Sequence, residues 1–343
     1  LNTMLLTAAA SSFAARIKPV RGGASTSSKA TLSLVDLPAF IKNEVGLGGI
    51  AMTTPLLAGC DRALLERIVQ AADKVGCPCL SLIEPEPQAL YETALAEVAE
   101  ERVKRVVQAA QWLGCSNVSI RITAPDDEDA MLEVAERLRP IVRKAEKMDL
   151  NFCIGSAPGM TGTAERITEL LKKIGGFRVG TLPDFASAGS SGDAGAYLRR
   201  LVPYASTVLA TITDTSIGET ARTAATTSPA PPKPKAKPKK SKSKDGDTAA
   251  DEGPAAPVEP AARLSLADCV SVVDAVGFDG SLAFDYTGKG DAVAALTRAK
   301  ELVTKLFLPP ELPVDDEMGL DLGAEVGEEP GEATDDEEAA EKA

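Results

Sequence analysis

The sequence predicts an α/β fold, a (β/α)8 barrel, and three observations carry that expectation. Eight short β-like apolar runs recur along the chain with helix-type sequence between them. Strands that alternate with helical patterns imply a parallel sheet. The length of 343 residues suits one barrel of roughly 250 residues plus appendages better than two domains.

The runs are MLLTAAA at 4–10, GIAMTT at 49–54, CLSLIE at 79–84 and VSIRIT at 118–123. They continue with LNFCIGS at 150–156, RVGTL at 178–182, TVLATIT at 207–213 and SLAFDY at 281–286. The first 35 residues carry Arg16, Lys18, Arg21 and Lys29 and no acid, as a transit peptide would. MLLTAAA is nevertheless the only candidate for the first strand of a barrel.

The helices between the runs are marked by caps and stripes. Asp61 is placed to cap a helix whose inward stripe is Leu65, Ile68, Val69 and Ala72. Val103, Val106, Val107 and Ala110 repeat the pattern, and Pro140 should kink the fourth helix. Ile167, Leu170, Leu171 and Ile174 follow the fifth strand and stop at Gly175-Gly176. Ser265 with Asp268 forms an S-x-x-D capping signature, and Gly277 ends that helix. Asp291 starts the last helix, with Val293, Leu296 and Val303 facing inward.

Two segments break the pattern. Residues at about 215–264 are rich in Pro, Ala, Ser and Thr, with seven lysines between Lys233 and Lys244. Such a stretch cannot bury enough apolar surface to offset its ordering entropy, so disorder is expected. It falls in a βα loop, hence on the catalytic face, where it would serve as a solvated linker or meet an anionic partner. Residues 309–343 carry 14 acids and one lysine, a net of −13, equal to that of the whole chain. The expected organisation is therefore a near-neutral barrel over 1–308, interrupted at 215–264, and an acidic disordered tail.

Composition excludes several functions. Histidine is absent, which removes His-based acid–base catalysis and Ser-His-Asp or Cys-His nucleophile systems. A neutral body offers no basic field for specific nucleic-acid binding. No run of 18 apolar residues suggests a membrane helix. The six cysteines, Cys60, Cys77, Cys79, Cys115, Cys153 and Cys269, lack redox or zinc spacing and read as reduced packing residues of a cytoplasmic protein.

Several stretches resemble the xylose isomerase-like TIM barrels. ERLRPIVRKAEKMDLNFCI at 136–154 resembles their fourth helix and fifth strand. VGTLPDFAS at 179–187 resembles the sixth-strand signature, and VGFDGSLAFDYTGKGD at 276–291 the final strand. LSLVDLPAFIKNEVGLGGI at 32–50 resembles the first helix and second strand. The resemblance implies a sugar or sugar-phosphate isomerase or epimerase, with one divalent metal held by Glu, Asp, His and Glu on strands five to eight. An apurinic nuclease of the same superfamily would need a His-rich three-metal site, which this chain cannot build.

Carried over, the ligand set is incomplete. Gly155 stands for the strand-five Glu; Asp184 is kept, with Ser187 where Asn is usual. Thr211-Ile212-Thr213-Asp214 replaces the strand-seven His and Lys, and Asp285 replaces the strand-eight Glu. The resemblance thus implies Asp184 and Asp285 as ligands for Mg or Mn, with Asp285 or Glu84 as base. Arg121, near the end of strand four, and Lys289, in Gly288-Lys289-Gly290, are the candidates for a substrate anion such as a phosphate.

Bland readings stand beside these. Asp184 follows Pro183 where an Asp often caps a helix, and Glu84-Pro85-Glu86-Pro87 reads equally as a solvated turn. Tyr286 and Phe185 read as packing residues, and the Gly155–Gly162 loop as a weak anion nest. Two functions follow: a metal-dependent sugar isomerase or epimerase, or a non-catalytic barrel that binds carbohydrate or serves as a scaffold, and either one is compatible with a homo-oligomer.

Overall fold

A computed structural model describes residues 4–20, 30–91, 93–213 and 265–307. The expectations for 215–264, 309–343 and Asp214 lie outside the described residues.

Every predicted run is a strand: β1 (Leu5–Ala9), β2 (Ile50–Thr53), β3 (Cys79–Ala89), β4 (Asn117–Thr123), β5 (Asn151–Gly155), β6 (Val179–Leu182), β7 (Thr207–Ile212) and β8 (Ser281–Tyr286). All pairings are parallel, in the order β6-β5-β4-β3-β2-β1-β8-β7. The seam between β6 and β7 is closed by the bridges Thr181↔Ala205 and Asp184↔Leu209, where Leu209 N–H donates to the Pro183 carbonyl at 2.8 Å. The architecture is a (β/α)8 barrel.

The helices are α1 (Leu37–Phe40), α2 (Arg62–Val75), α3 (Thr93–Trp112), α4 (Glu128–Glu146), α5 (Ala164–Ile174), α6 (Phe185–Ser190), α7 (Ala194–Leu201), α8 (Leu266–Ala275) and α9 (Ala292–Phe307). The expected caps form: Asp61 accepts from Leu64 N–H, and Ser265 with Asp268 makes a reciprocal capping box. The expected stripes of α2, α3, α5 and α9 face inward, with Val69 and Val293 only partly buried at their margins. Pro140 does not end α4, which runs on to Glu146. Its exposed position leaves the carbonyl it cannot pair within reach of water.

Glu84-Pro85-Glu86-Pro87 is strand rather than turn. A register shift between Ile83 and Pro87 lets β3 continue along β4 to Ala89. The bulge absorbs the two prolines, which could not both serve a regular ladder.

Side-chain alternation divides the core into two. Ala9, Ala51, Ile83, Cys153, Leu182, Leu209 and Ala283 pack together, separate from the larger cluster that includes Leu82, Ile120, Phe152, Val208 and Phe284. The first set fills the barrel, and the neighbouring strand positions meet the helices. Below it, near the strand N-termini, a polar layer spans the interior. Asn151 donates to Asn117 Oδ1 at 2.9 Å, Asn117 donates to Thr207 at 3.3 Å, and Thr207 lies 2.8 Å from the Ser281 hydroxyl. With side chains packed through its interior, the barrel leaves its chemistry to the C-terminal end.

Gly180 of β6 shows how tight the seam is: a Cβ there would lie 2.3 Å from the Tyr204 carbonyl oxygen. Gly180→Ala is expected to cost about 1–3 kcal/mol by forcing the backbone apart. Urea denaturation of the variant against wild type measures it.

Candidate active site

Asp184 organises the C-terminal mouth. It is the N-cap of α6, its residue 5% exposed, and four donors converge on its carboxylate. Oδ1 accepts from Ala186 N–H at 2.9 Å and from the Thr211 hydroxyl of β7 at 2.7 Å. Oδ2 accepts from Arg121 Nη2 of β4 at 3.2 Å and from the Ser187 hydroxyl at 3.4 Å. A carboxylate has about four lone-pair sites, so this one is filled.

Arg121, on β4, lies across the end of the neighbouring β5, which carries Gly155. A Cβ on Gly155 would lie 3.3 Å from Arg121 Cγ and 3.7 Å from its Nε. The missing side chain is the space the guanidinium stem occupies. Arg121 Nη2 is bound to Asp184, whereas Nε is buried and has no hydrogen-bond partner among the described residues.

Asp285 ends β8 among the inward positions. Oδ1 accepts from the Ser11 hydroxyl at 2.7 Å, and Ser12 also hydrogen-bonds it while accepting from Tyr286 N–H. Burial is the main cause pushing its carboxyl above the usual aspartate range. The Asp184 charge adds to the rise; Ser11, Arg121 and Ser12 oppose it.

Tyr197 reaches the same region from α7. It is 4% exposed, and among the described residues its hydroxyl has no partner in hydrogen-bond geometry, although the Ser156 and Ser187 hydroxyls flank it. Burial and the Asp184 charge keep the phenol protonated.

The structure thus brings Asp184, Asp285 and Arg121 to one site, turns Glu84 to the outer strand face, and leaves Lys289 exposed on the loop after β8. Glu84 falls on the strand face that Leu82 shares, toward α3, where Arg102 Nε and Nη2 both lie 2.7 Å from its Oε2. Its other oxygen accepts from Glu86 N–H at 3.3 Å. It is a buried anchor for α3, with Arg102 as its counter-charge. Lys289 is exposed, and Gly290 N–H, the amide a phosphate would need, donates to Tyr286 Oη at 2.7 Å. Phe185 is fully buried in the outer core, and Tyr286 packs against the same cluster.

Mg or Mn does not fit this donor set. Asp184 has no free lone pair, and a cation bound there would displace Arg121. Among the described residues no group of three or more His, Cys, Asp or Glu could hold a metal ion.

Sequence reasoning missed Ser11, Ser12 and Tyr197. The serines directly follow a predicted strand, where barrel chemistry sits, and that placement is a usable signal. Tyr197 shares an apolar stripe with Ala194, Leu198 and Leu201 and so looks like packing. Among the cysteines, all six are free, and burial pushes their thiols up, Cys60 and Cys77 to about 11 and Cys79, Cys153 and Cys269 to about 12. Unreactive packing thiols behave this way.

No protein-family model and no curated protein sequence matches this chain. Solved structures do. One is a probable 3-DHS dehydratase involved in petrobactin synthesis from Bacillus anthracis, at 14% identity and TM-score 0.58, over 87% of this chain and 98% of that one. Another is an L-ribulose 3-epimerase, at 10% identity and TM-score 0.62, over 89% and 94%. A third is a xylose isomerase-like TIM barrel protein from Mycobacterium smegmatis in complex with magnesium, at 14% identity and TM-score 0.59, over 89% and 97%. At such identities the likeness is one of fold, and the fold is that of the xylose isomerase-like TIM barrels.

Arg102→Ala is expected to leave a buried carboxylate without its cation and to lower stability by about 1–3 kcal/mol. Glu84→Gln, which removes the charge instead, is expected to cost less. Chemical denaturation of both variants checks the order.

Proposed function

We propose that this xylose isomerase-like barrel binds a small polyhydroxylated carbonyl compound at its C-terminal mouth and moves a proton on the carbon beside the carbonyl. One observation carries this reading: a buried carboxyl with a raised pKa, Asp285, faces an arginine held by a second buried carboxylate. An acid pushed toward the working pH is the type of group that exchanges protons efficiently. The sugar-processing neighbours support the substrate class, since one is an L-ribulose 3-epimerase and another a D-psicose 3-epimerase with D-tagatose.

In this reading Asp285 is the base. Ser11 and Ser12 orient its carboxylate, and Asp184 with burial keeps its proton affinity high. Arg121 supplies the positive charge toward which electron density moves, and Asp184 fixes the guanidinium in place. No step is assigned to a divalent metal, because the donor set does not fit one. Unphosphorylated sugars are favoured over sugar phosphates, since the Gly288–Gly290 loop has spent its Gly290 amide on Tyr286.

The six free thiols fit a reducing, cytoplasmic setting. Among the described residues no helix is long and apolar enough to cross a membrane.

The test is proton exchange. Ketoses and their phosphates incubated with the protein in D2O and EDTA should take up deuterium beside the carbonyl, read by NMR. Asp285→Asn should slow that uptake roughly 100- to 10,000-fold. The rate should fall as pH drops through the raised Asp285 pKa, because only the ionised carboxylate accepts a proton. Removing this buried charge should also raise, not lower, the melting temperature at neutral pH. A carboxyl with a raised folded-state pKa costs stability once pH exceeds its unfolded value, and the full cost stands above the folded one. No deuterium uptake across the panel would refute the enzyme reading and leave a binding barrel.

A further inference from the structure

Among the described residues, Arg121 Nε–H and Tyr197 Oη–H are buried at the mouth without a hydrogen-bond partner, as is the Thr54 hydroxyl just past β2. Arg121 Nε–H and Tyr197 Oη–H both lie beside the Gly155-Ser156 segment: Nε is 3.7 Å from where a Gly155 Cβ would stand, and Tyr197 Oη is flanked by Ser156 and Ser187. The flanking hydroxyls send their own protons elsewhere, Ser156 to the Thr161 carbonyl at 3.0 Å and Ser187 to Asp184, so neither donates to Tyr197 Oη. Tyr197 and Arg121 also feel each other electrostatically. Buried polar groups are almost always paired, so the two donors beside the Gly155-Ser156 segment mark the place of an oxygen that the described residues do not provide.

We infer that Arg121 Nε–H and Tyr197 Oη–H grip one ligand oxygen, the carbonyl oxygen of the substrate, and hold its charge when it becomes an enolate. This rests on the proton-transfer reading above and adds the group that makes the transfer feasible. Asp285 takes the proton from the carbon beside the carbonyl. The C–H electron pair becomes a C=C bond, and the C=O π pair moves to oxygen as a negative charge. Nε–H and Oη–H donate to that oxygen; return of the proton from Asp285 reverses each shift. No electrons leave the substrate, and no other reactant is needed. Arginine stays charged at any working pH, and fixed donors in a water-poor site stabilise developing charge without reorganising. Tyr197 is suited to donate because burial keeps its proton on.

The probe is oxalate, a flat dianion resembling a two-carbon enediolate, with xylitol as the neutral control. Calorimetry with the full chain in EDTA should show oxalate binding that weakens about tenfold in Tyr197→Phe and a hundredfold in Arg121→Lys. Xylitol affinity should hold within twofold. Should Arg121→Lys fail to fold, Tyr197→Phe, which removes only the hydroxyl, still decides. Equal oxalate affinity in wild type and Tyr197→Phe, or no oxalate binding by wild type, would overturn the inference. Oxalate binding that depends on Tyr197 without any deuterium exchange would keep this oxygen site and reject the enzyme reading. Exchange without that dependence would do the reverse.

Discussion

The Asp184 carboxylate is the constraint from which the mouth of this barrel is built. Seven of the eight strand neighbours are joined by continuous ladders, but β6 and β7 meet only through isolated bridges. At that seam a buried carboxylate takes donors from β4, from β7 and from the first turn of α6. Burying a charge is costly unless it is paired and fully hydrogen-bonded. Meeting that condition draws three elements to one point, so the interaction that makes the charge tolerable also completes the barrel. The same demand fixes Arg121: one end of its guanidinium is held by Asp184, and Nε is the buried nitrogen left without a partner among the described residues.

Gly155 is the counterpart of that arrangement. Glycine in a strand sacrifices packing and backbone entropy, and it is expected where another group must come close. Here the close group is the Arg121 stem. A glutamate at this position would have to share the space with the guanidinium. The barrel therefore carries a covalently attached cation that is paired with Asp184 and also felt by Asp285. That cation is permanent, does not depend on metal supply and carries one charge instead of two. The charge balance explains why Asp285 keeps a raised pKa: one arginine, already paired with Asp184, offsets neither the burial of a second carboxylate nor the repulsion from the first.

Most of the fold was legible from periodicity alone, and the mouth only in part. The eight strands, the Asp61 and Ser265 caps and the stripes of α2, α3 and α5 arise from local sequence, which records alternation, capping and turn chemistry directly. The EPEP segment misled because two prolines read as a turn. The bulge that absorbs them depends on β4, more than thirty residues away in sequence. Asp184 and Asp285 stood out through their place at strand ends and through the family resemblance. Glu84 drew attention by the same rule, but after Ile83 the alternation turns it outward to Arg102. Glycine as a docking space for arginine leaves no sequence signature, since it is a contact between strands. Tyr197 hid within an apolar helix stripe for the opposite reason: its ring does pack, and only its hydroxyl matters at the mouth.

The two ends of the barrel interior answer the demand for hydrogen bonds in different ways. At the strand N-termini, Asn117, Asn151, Ser206, Thr207 and Ser281 satisfy one another, so that layer is complete without a ligand. Within the barrel, the Ser81 and Ser119 hydroxyls also have no hydrogen-bond partner, but they are sealed at 1% and 0% exposure, Ser119 beside the Cys153 thiol. At the C-terminal mouth the unpartnered groups among the described residues include Arg121 and Tyr197, with the Thr54 hydroxyl past β2, and there the guanidinium stays partly open, its side chain 27% exposed. Unsatisfied donors persist at a cost in stability, and a chain keeps that cost where something else relieves it. A sealed hydroxyl is relieved at most by an enclosed water. Donors beside an open guanidinium can be relieved by a ligand, and that difference in access is the physical ground for the role proposed for the mouth.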